Sequence, residues 1–211
     1  MTALTTLLTL ADSRLPTGGH VHSGGVEEAV TAGLVFDLAT LRAYLVRRIR
    51  THGLVTASLA AAVHTGTCSV VQADRETDAR TPSPAARAAS RAQGRGLLRL
   101  ARRVWPDTDW QPLGVRPHLA VAAGAVGAAS GLSAEHTAVS VVYTTMTGSA
   151  TAAQRLLALD PGDVAAVTFA LSALCDQTAA AAAKELAELS DPMLDVLAER
   201  HAQRERPLFS S

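Results

Sequence analysis

Apolar residues recur at helical spacing along most of the chain, and no convincing period-two alternation marks a strand. In the stretch DLATLRAYLVRRI, Leu38, Leu41, Leu45 and Ile49 form one stripe, and Asp37 is placed to cap it. This helix reaches His52-Gly53, where it either stops or continues into LVTASLAAAVHTG. Ser83-Pro84 joins a capping hydroxyl to a proline at the first helical position, predicting a helix that ends near Trp105-Pro106. Pro117 opens an Ala- and Val-rich helix closed by Ser130-Gly131. Ser133 caps the next, with Glu135 in its first turn. Asp160-Pro161 and Asp191-Pro192 repeat the cap-then-proline signature for the last two helices. The pattern predicts an all-α fold, a single-domain bundle of about seven to ten helices without internal repeats. The domain spans residues 1–211.

Irregular structure is expected in three places. The N-terminal segment 1–25 ends in the glycine-rich LPTGGHVHSGG. Residues 65–84 are rich in polar and chain-breaking residues, predicting a mobile loop with room for a short helix. The C-terminal tail 204–211 carries Leu208 and Phe209, expected to be exposed, on a basic stem.

Composition narrows the class. Hydrophobic residues make up 48% of the 211 positions but aromatics only 3%, so Ala, Leu and Val must fill the core. That favours closely packed helices. The formal net charge is zero, which leaves no global field to attract nucleic acid or a membrane. A single lysine, Lys184, stands against eighteen arginines, a bias that suits planar, multidentate protein contacts or reflects composition alone. Cys68 and Cys175 stand far apart in no metal or redox motif, so a cytoplasmic location is expected. No basic leader with a cleavage site is evident, and no run of eighteen uninterrupted apolar residues occurs.

Candidate chemistry centres on LPTGGHVHSGG, residues 15–25. His20 and His22 could ligate a metal, but two histidines leave a tetrahedral site half-filled unless distant residues or another chain contribute. Neither GxxxxGK[ST] nor GxGxxG occurs, which argues against a nucleotide loop. The plainer reading is a turn whose Ser23 caps a helix over VEEAVTAG, with Glu27 and Glu28 in its first turn. Arg87, Arg91, Arg95, Arg99 and Arg103 recur every fourth residue, winding slowly around one helix side. Such a stripe is a solvated face, a phosphate-backbone contact or a dock for an acidic protein. Zero net charge and the lack of interleaved aromatics weigh against nucleic acid. The acids Glu185, Glu188, Asp191, Asp195 and Glu199 could neutralise part of it. No GxSxG or cysteine–histidine motif indicates an enzyme, and no cofactor is expected.

These motifs together resemble the urease accessory protein UreF family. Leu15, Pro16, Gly18, His22, Ser23, Gly25 and Glu27 fit its opening pattern. Arg87 and Gly94 match the spacing of a family helix, and His201, Leu208, Phe209 and Ser211 match its closing block. The resemblance implies a non-enzymatic, homodimeric chaperone that bridges a UreD/UreH-type accessory protein and a UreG-type GTPase. Together they deliver nickel to apo-urease, coupled to the GTPase. It also implies partner-binding residues at Pro16, Gly18, His20, His22, Ser23, Glu27, Arg87, His201, Arg206, Leu208 and Phe209. The chain departs from the family at His20, where an aromatic is usual, and at Arg206-Pro207, where the basic residue has moved by one. Residues 158–165 also lose both glutamines of a family segment. A histidine-dependent metal-binding protein using His20 and His22 is the alternative, and an arginine-stripe nucleic-acid binder a weaker one.

Overall fold

Local capping chemistry places most helix starts where the sequence puts them. The computed structural model describes residues 3–188 and 191–210, so Ser211 of the closing motif lies outside the described residues. Eleven α-helical segments form, and no strand occurs among the described residues. They are α1 (Ala3–Leu10), α2 (Val26–Thr31), α3 (Leu38–Arg48), α4 (Leu54–Thr65), α5 (Val70–Ala79) and α6 (Pro84–Val104). The others are α7 (Leu119–Ala129), α8 (Ala134–Leu157), α9 (Pro161–Ala170), α10 (Ser172–Ala182) and α11 (Pro192–Ala202). Asp37 forms a reciprocal capping box with Thr40, while Ser83, Ser133, Asp160 and Asp191 accept hydrogen bonds from the first turns they open. Helix α3 continues through a π-helical turn, Ile49–Gly53, into α4, so the two segments form one rod.

Four expectations need correction. The segment 1–25 is not irregular throughout, because Ala3–Leu10 forms α1. The polar stretch 65–84 is not a mobile loop throughout: the short helix it had room for is the ten-residue α5, whose N-terminus is capped by Ser69. Between the two Asp-Pro helices, α10 opens directly from the end of α9 without a side-chain cap. Gly25, not Ser23, is the N-cap of α2; its φ of 89° is one that side-chain-bearing residues rarely adopt. The Ser23 hydroxyl still accepts from the Glu27 amide at 3.4 Å.

Helix α4 packs against α7, α8 and α10, α6 packs on α7, and α11 meets both α2 and α6. Leu41, Leu45 and Ile49 of the long rod are fully buried beside Val142 and Met146 of α8. Each such side chain contributes roughly 2 kcal/mol by leaving water. Ala57, Ala60, Ala138 and Ala153 are equally buried, which lets the helices approach closely without aromatic filler. A second cluster joins Leu97, Leu98 and Ala101 of α6 to Trp110, Ala122 and Val126. Cys68 and Cys175 are buried and unbridged. No single described helix is long and apolar enough to cross a membrane.

Candidate partner-binding site

The opening and closing sequence blocks meet at one place. Helix α2 is short, and its acids are flanked by Val26, Ala29 and Val30, so its two carboxylates turn inward. Glu27 is 2% exposed and Glu28 4%. The Glu27 carboxylate accepts from the Leu208 amide at 2.8 Å, the Phe209 amide at 3.0 Å and His201 Nε2 at 2.8 Å. Beside it, Glu28 pairs with Arg200 at 3.1 Å and with Arg204 at 3.1 Å. The Ser210 amide closes the junction by donating to the Val21 carbonyl at 2.7 Å. Burial pushes the Glu27 carboxyl upward, but the two tail amides and His201 more than reverse this and hold it below the ordinary glutamate range. A buried carboxylate is tolerable here because its oxygens are met by donors from the tail.

Exposure divides the expected contact residues into two groups. Ser23, Glu27, His201 and Phe209 are buried, so they hold the junction from inside. Phe209 enters the main core, correcting the expectation of an exposed tail residue, whereas Leu208 is 79% exposed. Pro16, His20 and Arg206 are exposed, Gly18 and His22 half-buried, and Gly18 has a φ of 82°. Arg87 lies elsewhere, on α6, where it donates to the Thr81 carbonyl at 2.9 Å and the Pro82 carbonyl at 3.2 Å. The opening loop is pressed against that same helix at Gly96, where a Cβ would lie 2.2 Å from the Thr17 carbonyl oxygen.

Behind the junction lies a cavity of about 310 Å³, lined in part by His20, His22, Arg48, His52, Ser149 and Phe209. Burial, reinforced by the Arg48 charge, pushes His52 down to about 3, and burial also lowers His22, so both rings are neutral at physiological pH. Among the described residues, the group that brings three potential metal ligands within 4.8 Å is Asp74, Asp78 and His118; it includes neither His20 nor His22. Arg91 already occupies that group, donating to Asp74 at 3.1 and 2.9 Å and to Asp78 at 2.9 Å. His118 Nε2 stands 2.9 Å from Asp78, and its Nδ1 stands 3.0 Å from the Ser90 hydroxyl.

The arginine stripe is therefore split. Arg87 and Arg91 pair with acids on α5, Asp74 and Asp78, and of the late acidic residues Glu199 also feels the Arg87 charge. Asp191 pairs with Arg47 instead, while Asp195 and Glu199 accept from Ser83 and Ala85 at the α6 N-terminus. Arg95, Arg99 and Arg103 remain exposed. Sequence reasoning missed Glu28, Arg200 and Arg204 as members of the junction, and Arg48 and His52 as cavity residues. For the former a signal exists: two adjacent acids sit among Val26, Ala29 and Val30 in a six-residue helix, so packing its apolar residues draws acids toward the core.

Comparison with known proteins extends these observations. The family model described as UreF matches residues 35–172. The urease accessory protein UreF of Mycolicibacterium vanbaalenii is 78% identical over 214 residues, covering all of both chains. Those of Mycobacterium sp. strain JLS and Mycobacterium tuberculosis strain H37Ra are 77% and 70% identical over 211 residues, again across all of both chains.

Proposed function

The chain belongs to the UreF family of urease accessory proteins, and on that premise we propose that it is a non-enzymatic scaffold for urease maturation. In this reading it dimerises in the cytoplasm and bridges a UreD/UreH-type accessory protein and a UreG-type GTPase. The assembly passes nickel to apo-urease, and the chain couples that delivery to the GTPase.

The observation that carries the proposal is the junction of Glu27 with His201, Leu208 and Phe209. It fixes two irregular segments against each other and leaves Pro16, His20, Arg206 and Leu208 on the outside. A segment ordered before binding loses less conformational entropy when a partner docks, so its exposed side chains bind more tightly. The apolar tip of Leu208 beside the basic Arg206 suits a partner face with an apolar pocket and an acidic rim. Exposed Phe36 and Phe169 supply further apolar surface for assembly.

Co-expression with the UreD/UreH-type and UreG-type partners tests the scaffold role. A stable ternary complex is expected on size-exclusion chromatography, together with restored urease activity in cells lacking their own UreF. Removal of residues 204–211 should weaken the complex while helical circular dichroism persists. Failure of the intact chain to join authentic partners defeats the proposal.

A further inference from the structure

One half-buried cation is not used by the junction. Arg48 ends α3 where the π-helical turn begins, and the widened turn sets Arg48 and His52 along the same cavity. The guanidinium packs over Gly24 so closely that a Cβ there would lie 2.4 Å from Nη2. Its Nε is buried and has no hydrogen-bond partner among the described residues. The acids that line the cavity are engaged elsewhere. Asp12 pairs with Arg14, Asp191 with Arg47, and Asp195 accepts from the Ser83 amide at 3.0 Å. Of the other cavity arginines, Arg80 pairs with Glu76 and donates to the Ala187 carbonyl at 2.7 Å, and Arg155 is exposed.

We propose that Arg48 binds a small oxyanion within this cavity, its terminal guanidinium nitrogens gripping two oxygens of a phosphate or carboxylate. A half-buried cation is stabilised by an opposite charge in contact, and the guanidinium fork matches such anions in a bidentate geometry. The surrounding groups are compatible with an anion. Tyr44 donates its hydroxyl to the Gly24 carbonyl at 2.8 Å, Ser149 donates to the Ser23 carbonyl at 3.1 Å, and His52 is a neutral ring. None of these adds negative charge. A bare metal cation would meet the repulsion of Arg48, so the sign of the occupant is set by this residue. The volume of about 310 Å³ is ample for such an ion with its waters. This site depends on Arg48 and the cavity and not on the scaffold reading.

Thermal unfolding and calorimetry of the full chain test it, with phosphate or acetate replacing chloride at constant ionic strength. Wild type should show a saturable rise in Tm and a single binding event. A response to phosphate alone assigns a tetrahedral anion, and a response to both anions assigns bidentate oxygen recognition in general. Exclusion of phosphate from the protein surface also raises Tm, but without saturation and independently of Arg48. Arg48→Met should abolish the saturable part. Arg48→Lys should weaken binding about tenfold, since the fork is lost while the charge remains. Arg99→Gln, at an exposed position of α6, should bind as wild type does. The proposal is overturned if neither anion gives saturable binding, or if Arg48→Met binds unchanged. Should Arg48→Met fail to fold, undiminished affinity in Arg48→Lys overturns it equally.

Discussion

The Glu27 carboxylate accepts a hydrogen bond from the Phe209 amide at 3.0 Å across 182 residues of chain. With the Leu208 amide and His201, this makes Glu27 the anchor of the C-terminal tail. Glu27→Gln keeps the shape but removes the charge and turns one oxygen into a donor facing donors. Loss of charge-assisted hydrogen bonds at a buried site should cost about 2 kcal/mol. Urea denaturation reads the loss, and hydrogen exchange at the Leu208 and Phe209 amides should quicken. Unchanged exchange at those amides would show that the tail is held by other contacts.

The same anchor sets an acid limit. Glu27 has a pKa below its ordinary value of 4.5, and Asp191, held by Arg47, lies below its ordinary 3.8. A depressed carboxyl contributes stability that is complete above its unfolded value and is lost as pH falls through its folded value. The tail should therefore stay docked from neutral pH down to 4.5 and release below that. Limited proteolysis across this range should show cleavage within 204–211 beginning only in the acidic part. Tail release during titration from pH 8 to 6 would contradict this assignment of charge.

Glycine positions separate packing from propensity. At Gly96, a Cβ would lie 2.2 Å from the Thr17 carbonyl, and backbone cannot swing aside as a flexible side chain can. Gly96→Ala should cost about 1–3 kcal/mol and displace the opening loop from α6. Gly148, inside α8, has open space around its missing Cβ. Gly148→Ala should stabilise by about 0.5–1 kcal/mol through helix propensity. Thermal unfolding of both variants checks the contrast, and equal effects would mean that the close approach at Thr17 is relieved at no cost.

The helix starts were legible because a cap is local: Asp37, Ser83, Ser133, Asp160 and Asp191 each bond an amide within three residues. Helix α5 was legible only as room for a short helix within a polar loop, because VVQADRETDA buries only Ala73 and Thr77. Its support comes from Arg91 and His118, on elements distant in sequence, gripping Asp74 and Asp78. The opening and closing blocks were both visible in the sequence, yet nothing in either one states that Glu27 receives the tail. Arg48 was the least legible, because an arginine late in a helix ordinarily faces water. Only the tertiary packing around Gly24 encloses it.

Leu208 and Phe209 offer the sharpest division between docking and folding. Phe209 is 9% exposed within the core, whereas Leu208 beside it is 79% exposed. Phe209→Ala removes a buried ring and should destabilise the chain by about 3 kcal/mol, seen as a lower denaturation midpoint. Leu208→Asp removes little buried surface, so the isolated chain should unfold within about 0.5 kcal/mol of wild type. If the tail meets a partner through its exposed apolar tip, Leu208→Asp should nonetheless weaken co-purification with the UreD/UreH-type or UreG-type protein. Buried apolar anchors of this kind typically carry a disproportionate share of binding energy, so a loss of tenfold or more in affinity is expected. Undiminished assembly of Leu208→Asp would remove Leu208 from the contact surface and leave the tail with a structural role alone.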